Sequence, residues 1–194
     1  GSFFSYIKKF KDIQNVELFI DSLDFNKEKL TSFFSEFIFG INLKSYTFNK
    51  YKTLNKKNLD KKINFKIVTS YKKEIERSYT YYNCVKEGVF LTRNLVSEPP
   101  NILTPKTYVQ EIKKLSKLGL KIKIYNEKEM KKMGLNALLG VGQGSINESY
   151  LATIEWNGKK NSKQKPLAFV GKGVCFDTGG ISLKPARFME EMKY

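Results

Sequence analysis

The segment Val170-Gly-Lys-Gly-Val-Cys-Phe-Asp-Thr-Gly-Gly-Ile-Ser-Leu-Lys-Pro185 gathers two amines and a carboxylate among four glycines. Lys172 stands between two glycines directly after the apolar run Leu167-Ala-Phe-Val170, so this spacing predicts a partly buried amine. Burial favours the neutral form of a lysine, and the freed lone pair can ligate a metal. Asp177 offers a hard oxygen donor nearby, able to bridge two cations. Lys184 lies past the Gly179-Gly180 turn and can return to the same crevice as an electrophile. Glycines at 171, 173, 179 and 180 let the backbone bend close to a ligand, and crevices of this kind form beyond the ends of strands in open α/β sheets.

Other chemistries fit the segment less well. A phosphate-binding loop needs Gly-Lys followed by Ser or Thr and a glycine five residues before the lysine; here Gly173 follows Lys172 and Leu167 precedes it by five. A glycine-rich turn carrying solvated lysines is the plain structural alternative. Cys175 has no base beside it in the sequence and reads as a small buried thiol. Histidine is absent from the chain, which removes Ser-His-Asp and Cys-His nucleophiles, HExxH zinc sites and every imidazole ligand.

The elements that must hold this segment follow from apolar spacing and punctuation. Phe3, Phe4, Tyr6, Ile7 and Phe10 form a helix-like run. Asn26 can cap a helix whose apolar positions Leu30, Phe33, Phe34, Phe37, Ile38 and Ile41 share a face. Phe65 to Val68 reads as a strand, and a long helix runs from Lys72 to about Val96, stopped by Pro99-Pro100. Thr104-Pro105 opens the next helix, with Tyr108, Ile112 and Leu115 on one face and Gly119 at its end. Leu120 to Tyr125 alternates apolar residues with lysine as a half-buried strand, and a short helix from Glu127 to Met133 leads to Gly134. Tyr150 to Trp156 and Leu167 to Val170 read as two further strands, the second a buried one. This alternation predicts an α/β layer architecture, with the domain boundary near the start of the long helix.

Composition sets the outer limits. The chain has 194 residues, 41% of them hydrophobic, enough to bury a core. Cys84 and Cys175 are far apart and without CxxC spacing, which fits a reducing, intracellular compartment. No apolar stretch approaches the roughly 18 residues that span a bilayer, so a soluble protein without membrane partners is expected. Gly1-Ser2 reads as a cloning scar, and no targeting signal is visible. The net charge of +16, with seven lysines between Asn49 and Lys66, raises a nucleic-acid-binding module as a second hypothesis. Against it, the only arginines are Arg77, Arg93 and Arg187, and the lysines keep company with many Asn, Ile, Phe and Tyr, as in a compositional bias.

The glycine-rich segment resembles the metal-site signature of the leucine aminopeptidase family. Arg93-Asn-Leu-Val-Ser-Glu-Pro-Pro-Asn101-Ile-Leu-Thr-Pro105 is similar to that family's opening of the peptidase domain, and the two occur in the family's order. Lys131-Lys-Met-Gly134 and Gly142-Gln-Gly-Ser145 match between them, so the resemblance covers about Tyr71 to Tyr194 well. Ile38 to Thr53 is similar to the helix and loop near the end of the family's N-terminal domain.

The resemblance implies residues 1–70 as the last part of a mixed α/β N-terminal regulatory or oligomerisation domain. Residues 71–194 would be the linker helix and the first βα layers of a truncated α/β peptidase domain. It implies Lys172 as the amine ligand of the tight metal site, Asp177 as the carboxylate bridging two divalent ions, Zn²⁺ or Mn²⁺, and Lys184 as the catalytic group that polarises the scissile carbonyl and stabilises the gem-diolate. A water between the cations would be the nucleophile. Met192 matches a position lining the pocket for the substrate's first side chain, so Lys172, Asp177, Lys184 and Met192 form the expected substrate site; ordinary core is the alternative for Met192. The family pattern continues beyond Tyr194 with an Asp ligand and an Asn-Thr-Asp-Ala-Glu-Gly-Arg segment, whose Arg holds a bicarbonate. The 194-residue chain is therefore expected to bind metal weakly and to lack activity. The full-length protein is expected to be a cytoplasmic leucyl aminopeptidase acting on short peptides as a homo-hexamer, with a non-catalytic relative as a third possibility.

Overall fold

The structure, a computed structural model, describes residues 1–10, 12–23, 26–53, 62–159 and 164–193. Most of the lysine-rich stretch, including the surface loop or linker read between Tyr51 and Lys62, lies outside the described residues. The chain divides into two compact units, Gly1–Asn94 and Leu95–Tyr194, each α/β in character.

The first unit is built on a parallel pair of strands joined through a helix. Strand β1 (Asn15–Phe19) pairs with β2 (Asn64–Val68), with Val16 opposite Phe65 and Leu18 opposite Ile67. Helix α1 (Ser2–Ile7) precedes them and buries Phe4. Parallel strands need a crossover, and α2 (Lys27–Ser45) supplies it. The Asn26 side chain accepts a hydrogen bond from the Lys29 N–H at 2.9 Å, satisfying one of the donors that a helix start leaves orphaned. Helix α3 (Lys72–Ser97) follows β2. Ile20, Leu30, Phe34 and Ile75 form the core, flanked by Leu18, Phe37, Ile38, Ile67 and Tyr71.

Four features of this unit escape the apolar pattern. Strand β1 has too short an alternation to stand out from its surroundings, and it exists because β2 gives it a ladder. Ser35 is fully buried, which its hydroxyl allows by donating to the Thr31 carbonyl at 2.7 Å. Phe33 stays half-exposed beside Phe34 and Phe37. At the C-terminal end of α2, the Arg93 guanidinium donates to the Leu43 carbonyl at 2.6 Å and lies over the Tyr46 ring, satisfying a carbonyl that the helix itself cannot.

In the second unit, α4 (Pro105–Lys114) starts with proline in the first turn, behind Thr104. Thr104 and Thr107 cap each other's backbone N–H groups, and Val109 is buried one residue beyond Tyr108. A 3₁₀ turn (Leu115–Leu118) ends at Gly119 with φ 83°, a left-handed position that glycine takes without strain. Strand β3 (Lys121–Tyr125) pairs antiparallel with β4 (Leu151–Glu155), Ile122 opposite Ile154. Between them lie α5 (Glu127–Lys132), opened by an Asn126–Glu129 capping box, and α6 (Asn136–Gly142), a helix that its run of small residues and glycines does not announce.

The expected strand over Leu167 to Val170 is corrected. These residues form no strand, and Leu167, Phe169 and Val170 are 80%, 87% and 101% exposed. Apolar content signals what can be buried; burial also needs a neighbour, and neither pair of strands extends to this run.

Candidate functional site

The glycine-rich segment folds into a loop whose turn is set by backbone geometry. Gly179 and Gly180 have φ of 90° and 69°, and the Lys184 N–H donates to the Thr178 carbonyl at 2.9 Å, closing the turn. A methyl group on Gly179 would run into the Ser182 carbonyl oxygen and the Lys184 side chain, so no larger residue fits that bend.

Closing the turn returns Lys184 to Asp177. One Asp177 oxygen, Oδ1, accepts from the Gly179 N–H at 2.9 Å; the other, Oδ2, accepts from Lys184 Nζ at 3.0 Å. The same Nζ lies 3.0 Å from the Met192 sulfur. Met192 reaches it after a reversal at Phe188, whose φ of 73° is the sole positive value at a non-glycine among the described residues, and a 3₁₀ turn at Met189–Glu191. The Gly179 N–H first, then the hydrogen bond and charge of Lys184, hold the Asp177 carboxyl below the ordinary carboxylate range, with a smaller pull from the charge of Lys172. The Lys184 and Asp177 side chains are 34% and 51% exposed, so water screens the pair and it contributes little to stability. An ion pair this weak can be exchanged for another ligand at little cost.

Lys172 is placed differently from expectation. It is exposed, because the run before it is uncovered. Its charge still reaches Asp177. Cys175 is half-buried, and that burial pushes its thiol above the usual range, against the charge of Lys193. Burial in turn lowers the Lys193 amine, opposed by Cys175 and Glu98, and its Nζ is buried without a hydrogen-bond partner among the described residues.

Two contacts at the loop are not legible in residue spacing. The Phe188 reversal has no glycine to mark it. Tyr108, read from sequence as one of the apolar face of α4, lies against Gly173 inside the loop. The glycine at 173 is the one available hint, since a missing side chain often marks a close approach.

Among the described residues, no group of three or more His, Cys, Asp or Glu side chains gathers to hold a metal. Lys172 and Asp177 are chemically suited as an amine and a carboxylate donor, but a divalent cation takes more ligands than two. They fit as members of a ligand set and fall short of a whole one.

Comparison with known proteins places the loop in a wider frame. The fold is similar to that of the bottromycin maturation enzyme BotP, solved in complex with Mn, with a TM-score of 0.71 over 98% of this chain and 39% of that one, at 23% identity. That likeness shows an α/β fold. Residues 90–194, which include the whole glycine-rich loop, match the cytosol aminopeptidase family, catalytic domain. The chain is 51% identical over 158 residues to a probable cytosol aminopeptidase of Brucella anthropi, covering 79% of this chain and 32% of that protein. A probable cytosol aminopeptidase of Rhizobium etli is 42% identical over 190 residues, covering 95% of this chain and 37% of that protein. The chain belongs to the cytosol aminopeptidase family. It spans about a third of the length of these relatives, 32% and 37%.

Proposed function

We propose that this chain is the part of a metal-dependent leucyl aminopeptidase that contributes Lys172 and Asp177 as metal ligands and Lys184 as the group that polarises the scissile carbonyl. The observation that carries the reading is the position of Asp177 within the stretch that matches the family's catalytic domain. One oxygen is fixed by Gly179, the other is held by Lys184, and the charge of Lys172 is felt there too.

Two divalent cations, Zn²⁺ or Mn²⁺, would supply activation of water when bound. Asp177 and Lys172 would hold them together with carboxylates beyond residue 194, where the resemblance also sets a bicarbonate. Lys184 Nζ sits between a carboxylate and the Met192 sulfur. A cation so placed can face a carbonyl oxygen as negative charge develops on it, with Met192 bordering the first side chain of the substrate. Substrates would be short peptides beginning with leucine or another apolar residue. The names of the relatives and the two unpaired cysteines support a cytoplasmic setting. A homo-hexamer of the longer protein follows from the resemblance alone.

On this reading the 194-residue chain binds metal weakly and does not hydrolyse aminoacyl amides. The test is release of p-nitroaniline from leucine p-nitroanilide by the full-length protein in Mn²⁺. Lys184→Ala is expected to lower kcat by about 10²–10³-fold, the loss that follows removal of one preorganised donor to a developing oxyanion. An unchanged kcat, or strong metal-dependent hydrolysis by residues 1–194 alone, would overturn the proposal.

A further inference from the structure

Helix α4 reaches the glycine-rich loop through one aromatic ring. A Cβ built on Gly173 would lie 2.7 Å from Tyr108 Cε1 and 3.3 Å from Cδ1, closer than side-chain atoms pack. The ring therefore fills the space that a side chain at 173 would take. Gly173 immediately follows Lys172, so where this ring stands decides where the backbone carrying that amine can pass.

The ring is itself firmly held. Tyr108 lies in the first turn of α4, its N–H donating to the Thr104 carbonyl at 2.9 Å, between the Thr104–Thr107 capping box and buried Val109. The stretch of the loop just before Gly173 lacks such support among the described residues. Gly171 has nothing within reach of a Cβ, and the run before it is exposed. The well-anchored partner thus sets the position of the loosely anchored one.

We infer that Tyr108 is a positioning residue for Lys172: its ring, pressed on Gly173, fixes the register of the Lys172 amine relative to Asp177. The inference rests on the ligand reading of Lys172 and Asp177 for its functional meaning. The contact itself does not depend on that reading. Atoms of the ring edge make the contact, so phenylalanine at 108 preserves it and alanine removes it.

The test is a double-mutant cycle on the 194-residue chain. Trace acetylation with acetic anhydride, read by mass spectrometry, gives the modification of Lys172 relative to Lys131 on α5. Gly173→Ala drives a methyl into the ring and is expected to change that ratio; in a Tyr108→Ala background the same substitution meets open space and changes it little. The non-additivity should be at least about twofold, the lower end for residues in contact. Tyr108→Phe should behave as wild type in both backgrounds, a rescue that general loosening of the helix would not give. Additive effects, or a Tyr108→Phe variant that behaves as Tyr108→Ala, would overturn the inference.

Mn²⁺ added alone to the full-length protein, where the ligand reading requires a complete ligand set, separates this from the ligand reading. Paramagnetic broadening of the amide resonances of residues 172–177 in the wild type, weakened by Gly173→Ala when Tyr108 is present and little changed by it in the Tyr108→Ala background, supports both. Non-additive acetylation without any Mn²⁺ broadening would overturn the ligand reading and leave Tyr108 as the residue that sets the loop.

Discussion

The β1–α2–β2 unit and the loop from Gly171 to Lys184 are held together by opposite means. In the first, apolar residues at regular spacing meet one another: Leu30, Phe34, Ile20 and Ile75 close over a parallel strand pair. In the second, the adjoining apolar run is exposed, and the shape comes from two left-handed glycines, one backbone hydrogen bond and a carboxylate shared between an N–H and an amine. Apolar packing fixes where elements lie; short polar contacts fix where a reactive group points. A region of the second kind carries little stability and yields readily when something else competes for its charges.

That contrast is open to direct attack. The largest effect should come from the core: Phe34→Ala is expected to destabilise the chain by about 3–5 kcal/mol, seen as a lower denaturant midpoint. Phe169→Ala, in the exposed run, should stay within about 0.5 kcal/mol of wild type. Similar losses at the two phenylalanines would erase the distinction. A smaller effect is expected at the start of α2, where Asn26→Ala removes a helix cap worth about 1 kcal/mol, measured in the same denaturation experiment.

The smallest effect is a pH dependence confined to the loop. The Asp177 carboxyl is lowered on folding from its ordinary value of 3.8, so its bonds to Gly179 and Lys184 stabilise the loop above that value and are lost as the pH falls through the lowered one. The amide resonance of Gly179 should therefore hold its hydrogen-bonded position across the neutral and mildly acidic range, then shift below the ordinary carboxylate range. A shift centred at or above 3.8 would mean that Asp177 is not held as described.

How legible each region was in the sequence follows the same division. Helices α2, α3 and α4 and strands β2, β3 and β4 could be read because spacing, caps and breakers act locally: Asn26, Pro99-Pro100 and Thr104-Pro105 stand where the chain changes direction. Strand β1 and helix α6 were not readable, the one because its ladder partner lies 49 residues away and the other because its residues have weak intrinsic preferences. In the loop, residue types named the groups that could do chemistry. Burial at Leu167 to Lys172 depends on covering neighbours, which spacing cannot specify, and there the reading failed. The approach of Tyr108 to Gly173 across 65 positions was equally hidden.

The bend at Gly179-Gly180 also bears on how this gene can drift. Lysine, asparagine, isoleucine, phenylalanine and tyrosine, so abundant here, have codons rich in A and T, whereas every glycine codon begins with two G's. A change to A or T at the first or second position of codons 179 or 180 yields a residue with a Cβ, or a stop, at positions whose φ of 90° and 69° only glycine adopts freely. Composition and backbone geometry pull in opposite directions at these two positions, and a chain that keeps the bend holds two glycines amid residues whose codons are of the contrary kind.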